Sequence, residues 1–228
     1  MIDFLKAVPM FSGLPENQLE ALNKTITSRD YTRGETIFSE GDEGNGFYIA
    51  ASGSIKIFKL SFDGKEQILH IYGPGEPFGE VAVFTGIPFP ANSVALKKSR
   101  VLFIDGKKFT ALLIKDPSLS LKLLGILSVR LKQFTVQVEN LSLKEVPGRL
   151  AEHLIWLSND QTNRKEVTLE ISKGHLASLL GTIPETLSRI LGKMNSESII
   201  EVHGKKIIIQ NYDKLLNLSQ IGRLEDLD

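Results

Sequence analysis

The sequence predicts an α+β chain in three parts: an N-terminal antiparallel β-roll, a long helix, and a C-terminal winged helix-turn-helix. Three observations predict it. Between Asp30 and Ile104, short alternating or β-branched runs are broken by glycines at 34, 41, 44, 46, 53, 64, 73, 75, 79 and 86, the texture of a roll built from short strands. From Asp116-Pro117 the chain runs to Pro147 with only Gly125 intervening, which reads as one long helix. Two short apolar-faced segments then meet at Gly181 and are followed by β-branched runs around Gly204, a helix-turn-helix backed by a hairpin. These signals set a roll over residues 1–115, a helix and hinge over 116–146, and a winged helix-turn-helix over 147–228.

Each element has its local reason. Leu14 to Leu22 forms a short amphipathic helix with Pro15 near its start. Asp63-Gly64 is a hairpin turn between Ile55–Leu60 and Gln67–Ile71, both rich in β-formers. Along the long helix, Leu127, Leu131, Phe134, Val138 and Leu141 recur at spacings of four, three, four and three, with Lys132 and Glu139 beside them. That is an a/d seam and predicts a homodimer. Glu145-Val146-Pro147-Gly148 supplies a hinge ahead of Arg149. In the following motif Leu176, Ala177 and Leu180 mark one apolar face, Gly181 permits the tight turn, and Thr182 with Glu185 predicts a capping box. Pro184 falls in the first turn of the second helix, where its missing N–H costs nothing. The two runs of the hairpin span Ser198 to Gln210.

Composition bounds the function. A chain of 228 residues, 42% hydrophobic, buries a core in one or two domains. With 27 Lys and Arg against 27 Asp and Glu, any basic surface must be local to one face. The absence of cysteine removes disulfides, thiolate zinc, thiol nucleophiles and cysteine-ligated iron–sulfur clusters. There is no run of about 18 apolar residues and no leader pattern at Met1 to Met10, so the expected compartment is the cytoplasm, with no membrane partner. An enzyme of the cupin type is one alternative for a small roll, but its metal site needs converging histidines and the roll holds only His70. Gly41 to Gly46 lacks the lysine of a phosphate loop. No catalytic residue and no metal ligand is therefore assigned. A second alternative is an effector-binding regulatory subunit that never touches DNA.

The two-helix motif points to double-stranded DNA. Glu185, Ser188 and Arg189 project together from the N-terminal half of the second helix, where a recognition helix places its base readers. Arg189 suits a bidentate bond to guanine and Glu185 can accept from cytosine N4. Ser188, Lys173, His175, Lys205 and Lys206 are placed to hold phosphates. Thr182, Pro184, Thr186 and Lys193 complete the candidate interface.

In their order along the chain, these features resemble the Crp/Fnr regulators, named for the cyclic-AMP receptor and the fumarate–nitrate-reduction regulator. The resemblance covers nearly the whole length. It is carried by Tyr31 to Phe38, Glu40-Gly41-Asp42, Phe47-Tyr48-Ile49, Ser52-Gly53, Asp63 to Glu66, Pro74 to Glu80, Arg149-Leu150-Ala151 and Glu185 to Arg189. It implies a cyclic-nucleotide-binding-like jelly roll that senses an effector, a homodimer, a DNA palindrome and RNA polymerase as partners, and no enzymatic activity. Glu185-Thr186-Leu187-Ser188-Arg189 is similar to the Fnr-type recognition helix, which implies a TTGA-containing half-site. Pro184 stands where the cyclic-AMP receptor has arginine.

For the effector, the resemblance implies a pocket from Phe78, Gly79, Glu80, Phe84, Phe89 and Asn92, with Leu127 and Leu131 of the helix. Cyclic-nucleotide binders of the family follow their Gly-Glu with an Arg-Ser or Arg-Thr pair, but here Phe89 and Pro90 stand at those places. Phenylalanine cannot neutralise a phosphate, which argues against cyclic AMP. The segments Ile55–Leu69 and Val138–Lys144 are similar to the nitric-oxide-responsive DNR- and HcpR-type branch. That branch makes haem a candidate cofactor, with His70, His153 or Met10 as axial ligand.

Overall fold

A computed structural model describes residues 1–161 and 165–224. The chain forms two compact units, Met1–Arg130 and Leu131–Asp228; the acidic residues Glu225, Asp226 and Asp228 lie outside the described part. The first unit opens with α1 (Ile2–Ala7), a 3-10 turn (Pro9–Phe11) and α2 (Glu16–Asn23). Helix α1, six residues carrying Asp3 and Lys6, is too short for a helical period to show in the sequence.

The roll follows as β1 (Ile26–Tyr31), β2 (Thr36–Phe38), β3 (Gly46–Ser52), β4 (Ile55–Leu60), β5 (Glu66–Tyr72), β6 (Pro77–Phe78), α3 (Glu80–Thr85), β7 (Asn92–Ala95) and β8 (Ser99–Asp105). Its strands make two antiparallel sheets ordered β1-β8-β3-β6 and β2-β7-β4-β5. The β4–β5 hairpin pairs Ile55 with Tyr72 and Leu60 with Glu66, and Gly64 closes it at φ +80°. Side chains alternate across a strand, so β3 and β8 are buried on both faces. Phe47, Ile49, Leu102 and Ile104 pack on Leu5, Phe11, Phe109 and Leu119 of the helical layer. Ala50 and Val101 turn the other way, to the roll interior with Phe38, Phe78 and Phe89.

Helix α4 (Gly106–Lys115) starts where the Asp105 carboxylate accepts the Lys108 N–H at 2.9 Å. Helix α5 (Pro117–Leu143) then runs unbroken through the division between the units. Leu119 and Leu123 bury its early turns against the helical layer, and Leu127 packs there as well. Leu127, expected in the seam, is half-buried and edges the core of the first unit with part of its surface still open. The stripe left uncovered in the single chain contains Leu131, 69% exposed, Phe134, Val138, 62% exposed, and Leu141, and continues toward the N-terminus through Leu124 and Leu121.

The second unit holds α6 (Val146–Asp160), β9 (Glu166–Thr168), α7 (Lys173–Leu179), α8 (Pro184–Ser196), β10 (Ile200–His203), β11 (Lys206–Ile209) and α9 (Tyr212–Ile221). Its strands pair antiparallel in the order β10-β11-β9. Leu150, Leu154, Leu176, Leu187, Ile207 and Leu215 form its core. The expected hinge over 145–148 shrinks to Lys144-Glu145. Pro147 sits at the start of α6, where its fixed φ suits a first turn, so it begins a helix rather than interrupting one. Among the described residues no helix is long and apolar enough to cross a membrane.

Candidate nucleic-acid interface and effector site

Helix α7 begins at Ser172, whose hydroxyl accepts the His175 N–H at 3.1 Å. It ends at Leu180, and Gly181 turns the chain at φ +65°, a left-handed conformation that favours glycine. The predicted capping box is not formed. The N-cap of α8 is Ile183, with no side-chain cap, because Pro184 sets the first helical position one residue later than a Thr182 cap requires. Thr182 instead donates its backbone N–H to the Ala177 carbonyl across the turn.

Helix α8 is strongly two-faced. Leu187, Ile190, Leu191 and Met194 are buried, whereas Pro184, Glu185, Ser188, Arg189 and Lys193 are exposed and Thr186 is half-buried. Residues three and four apart share a helical face, so Glu185, Ser188 and Arg189 form one exposed row in the first two turns. Among the described residues Arg189 forms no ion pair and no side-chain hydrogen bond that would hold its fork away from a partner. Lys173 is exposed and His175 half-buried at the start of α7. On the wing, Gly204 and Lys205 make the two-residue turn between β10 and β11. Lys205 is exposed there, while Lys206 is paired with Glu166 at 2.8 Å.

In the roll, Phe38 stacks on Phe89 with ring centroids 3.9 Å apart, and Tyr48 stacks on Phe78 at 5.4 Å. Phe89 is 3% exposed. Gly79 adopts φ +76°, and a Cβ there would meet the rings of Phe89, Phe38 and Tyr48 at 3.2–3.4 Å. Burial pushes the Tyr48 and Tyr72 phenols up to about 12, so both are neutral donors at neutral pH. Two expected pocket residues of the first unit lie elsewhere, and Leu131 belongs to the second unit. Phe84 faces Phe109 at 6.5 Å rather than Phe89, Leu127 joins the helical layer, and Leu131 is exposed. Asn92 is engaged by the fold, its Oδ1 accepting the Glu40 N–H at 3.0 Å.

Glu80 has a partner that sequence reasoning missed. Arg130, on α5, donates to the Glu80 carboxylate and to the Pro77 carbonyl, and its guanidinium lies 5.0 Å above the Tyr72 ring. The residue is separated from Glu80 by 50 positions, and its only sequence signal was an arginine within an apolar turn of the long helix.

The three alternative haem-ligand candidates have different surroundings. Met10 is enclosed in the helical layer, His70 lies on β5 with Nε2 3.8 Å from Glu76, and His153 belongs to the second unit beside Trp156. Burial pushes the His153 imidazole down to about 4. Axial ligation by Met10 would require opening a packed core, whereas the half-buried His70 imidazole is reachable from the surface of β5. Among the described residues no cluster of three or more His, Asp or Glu is placed to hold a metal ion.

Comparison with known proteins extends over both units. Residues 28–116 match the cyclic nucleotide-binding domain family, and residues 148–218 match the Crp-like helix-turn-helix domain. The chain is 31% identical over 211 residues to the fumarate and nitrate reduction regulatory protein of Escherichia coli, covering 90% of this chain and 84% of that one. It is 29% identical over 219 residues to a CRP-like cAMP-activated global transcriptional regulator of Mycobacterium tuberculosis, covering 94% and 98%. In fold it is similar to FixK2 of Bradyrhizobium japonicum, with TM-score 0.74, 23% identity and coverage of 85% and 96%. The c-di-GMP responsive regulator CLP of Xanthomonas campestris is similar in the same way, with TM-score 0.76, 23% identity and coverage of 86% and 100%.

Proposed function

Because the chain belongs to the Crp/Fnr family of transcription regulators, whose members bind DNA and act as dimers, we propose that it reads a TTGA-containing palindrome under control of an effector other than cyclic AMP. The observation that carries the DNA reading is the exposed row of Glu185, Ser188 and Arg189 on a helix whose opposite face is core. Two such helices related by the dimer axis reach successive major grooves about 34 Å apart. The uncovered stripe on α5 is the surface on which the two copies meet. RNA polymerase is the partner on the promoter, and the cytoplasm is the compartment.

Two features of the roll support a departure from cyclic AMP. The stacked, buried Phe89 cannot offset a cyclic phosphate, and the Glu80 carboxylate is already held by Arg130. An apolar or aromatic small molecule suits the ring-lined interior better. Haem, as in the DNR- and HcpR-type branch, is the second reading; His70 favours it as the one histidine of the roll, half-buried on β5.

The test of DNA reading is fluorescence anisotropy with a TTGA palindrome and a scrambled duplex. Arg189→Ala should lose about 1–3 kcal/mol on the palindrome and relax base preference, whereas Lys205→Ala should weaken both duplexes alike. Unchanged operator binding by Arg189→Ala would refute the assignment of α8. For the effector, calorimetry should find no saturable cyclic-AMP binding. An absorbance titration with haem that saturates at one per chain and is lost in His70→Ala would favour the second reading over the first.

A further inference from the structure

Between α3 and β7 the chain runs through residues 86–91 without regular structure, and in residues 86–90 Phe89 alone is buried. Pro88 and Pro90 on either side of it are exposed and have no N–H with which to bind the fold. Residues 88–90 are tied to the roll by their backbone: the Phe89 N–H donates to the Asp42 carbonyl and the Phe89 carbonyl accepts the Gly41 N–H, both at 2.9 Å, while Lys59 donates to the Pro90 carbonyl at 3.0 Å. The Phe89 ring passes inward and lies on Phe38, nearly parallel at 15° and 3.9 Å between centroids. An exposed strap thus fills one ring's thickness of the roll interior.

A hydroxyl lies beside that stack. Ser93 on β7 is opposite Phe38 of β2 and Ile57 of β4, and paired residues on neighbouring strands point to the same face. Ala95, two positions further on, belongs to the interior cluster, which gives Ser93 the same direction. Ser93 is fully buried, and its Oγ has no hydrogen-bond partner among the described residues. The other buried serines are satisfied: Ser99, Ser158 and Ser219 each donate to a backbone carbonyl at 2.7, 2.9 and 2.7 Å. A native fold rarely buries a hydroxyl unpaired, since the bond to water is forfeited, so the Ser93 Oγ marks a place that lacks its partner.

Resting on the reading of the roll as an effector site, we propose that Phe89 is a removable plug, and that the effector is an uncharged single-ring aromatic compound with one hydroxyl or carbonyl group, which replaces Phe89 on Phe38 and bonds to the Ser93 Oγ. The group that leaves is a phenyl ring, so the space that opens accepts a flat ring of the same thickness. A serine hydroxyl both donates and accepts, which suits either polar group. Glu80 and Arg130 already neutralise each other, so a charged ring would enter without a counter-charge. Expelling the Phe89 ring opens its two backbone bonds to Gly41 and Asp42. The freed strap follows directly on α3, whose Glu80 is tied to Arg130 of α5, and this carries the change to the long helix.

The experiment titrates the full chain calorimetrically with phenol and with toluene, the more apolar probe, which a purely apolar cavity prefers. Phe89→Ala removes the cost of expelling the ring and should bind phenol about tenfold more tightly than the wild type. Adding Ser93→Ala to that variant should shift the phenol-to-toluene affinity ratio about tenfold toward toluene. In the wild type, saturating phenol should speed amide exchange at Gly41 and Phe89 about tenfold, while the amides of β3 and β8 keep their rates. That measurement, with Ser93→Ala alone, serves if Phe89→Ala fails to fold. The proposal is overturned if the wild type takes up no phenol, if Ser93→Ala leaves the ratio unchanged, or if phenol saturates with both amides unaltered. Palindrome affinity is measured separately with and without phenol. If phenol binds as described and that affinity stays the same, the seat stands and effector control of DNA binding is what fails.

Discussion

Replacing Arg130 by methionine would strand the Glu80 carboxylate inside the roll. In the wild type both side chains are largely covered, 14% exposed for Arg130 and 9% for Glu80. Removing one partner of a buried ion pair costs about 3–5 kcal/mol, because the other is left as an uncompensated charge. The residual exposure lets water reach the stranded group and argues for the lower end. Loss of the bond to the Pro77 carbonyl adds about 1 kcal/mol, and loss of the contact with the Tyr72 ring about as much again. Methionine restores part of the apolar contact, so the net expectation is about 4 kcal/mol. The assay is native-state hydrogen exchange under increasing urea, followed at the amides of β6 and α3, which isolates the first unit in a chain whose two units need not unfold together. Glu80→Gln alone should also destabilise, and the double variant Glu80→Gln/Arg130→Met should recover about 2 kcal/mol relative to additivity. If Arg130→Met changes these amides by less than about 0.5 kcal/mol, or if the two substitutions simply add, the pair does not tie α5 to the roll as described.

Three further expectations follow from single residues. Leu131→Glu changes an exposed position and so should barely affect the isolated chain, yet it places a charge in the proposed seam; light scattering should report a monomer, and a persistent dimer would remove the seam. Gly148→Ala would put a Cβ 2.5 Å from the Gly222 Cα, backbone against backbone, and the forced shift should lower the urea midpoint of the second unit by an amount equivalent to about 1–3 kcal/mol. His153 stays neutral in the fold while the unfolded chain takes up a proton below its ordinary value of 6.5. Stability of the second unit is therefore unaffected above that pH and falls as pH drops toward about 4, by at most about 3 kcal/mol. His153→Phe should flatten that part of the pH profile; an unchanged slope would mean the imidazole is hydrated in the fold.

Some misread features share one cause. The Thr182–Glu185 capping box and the hinge over 145–148 both turned on which residue begins a helix, and in both the proline was accommodated in the first turn. A cap motif depends on register to the single residue, which apolar periodicity does not supply. Leu127 carries the seam's spacing and also touches the helical layer of the first unit, a contact that the spacing along α5 does not record. The resemblance implies that Phe84 lines a pocket with Phe78 and Phe89, but α3 presents it to Phe109.

What could be determined from sequence alone was what a single turn or strand decides. Gly64, Gly181 and Gly204 each take positive φ in the turns assigned to them. The period of two in the roll and the apolar face of α8 are likewise short-range, since each side chain's face follows from its distance along its own element. Only the tertiary structure decided that Arg130 meets Glu80, that Phe38 stacks on Phe89, and that Ser93 lies opposite Phe38. Those pairs are separated by 50, 51 and 55 positions. Their proximity depends on how sheets and helices pack, and no local period records which distant residue will fill the space or offset the charge.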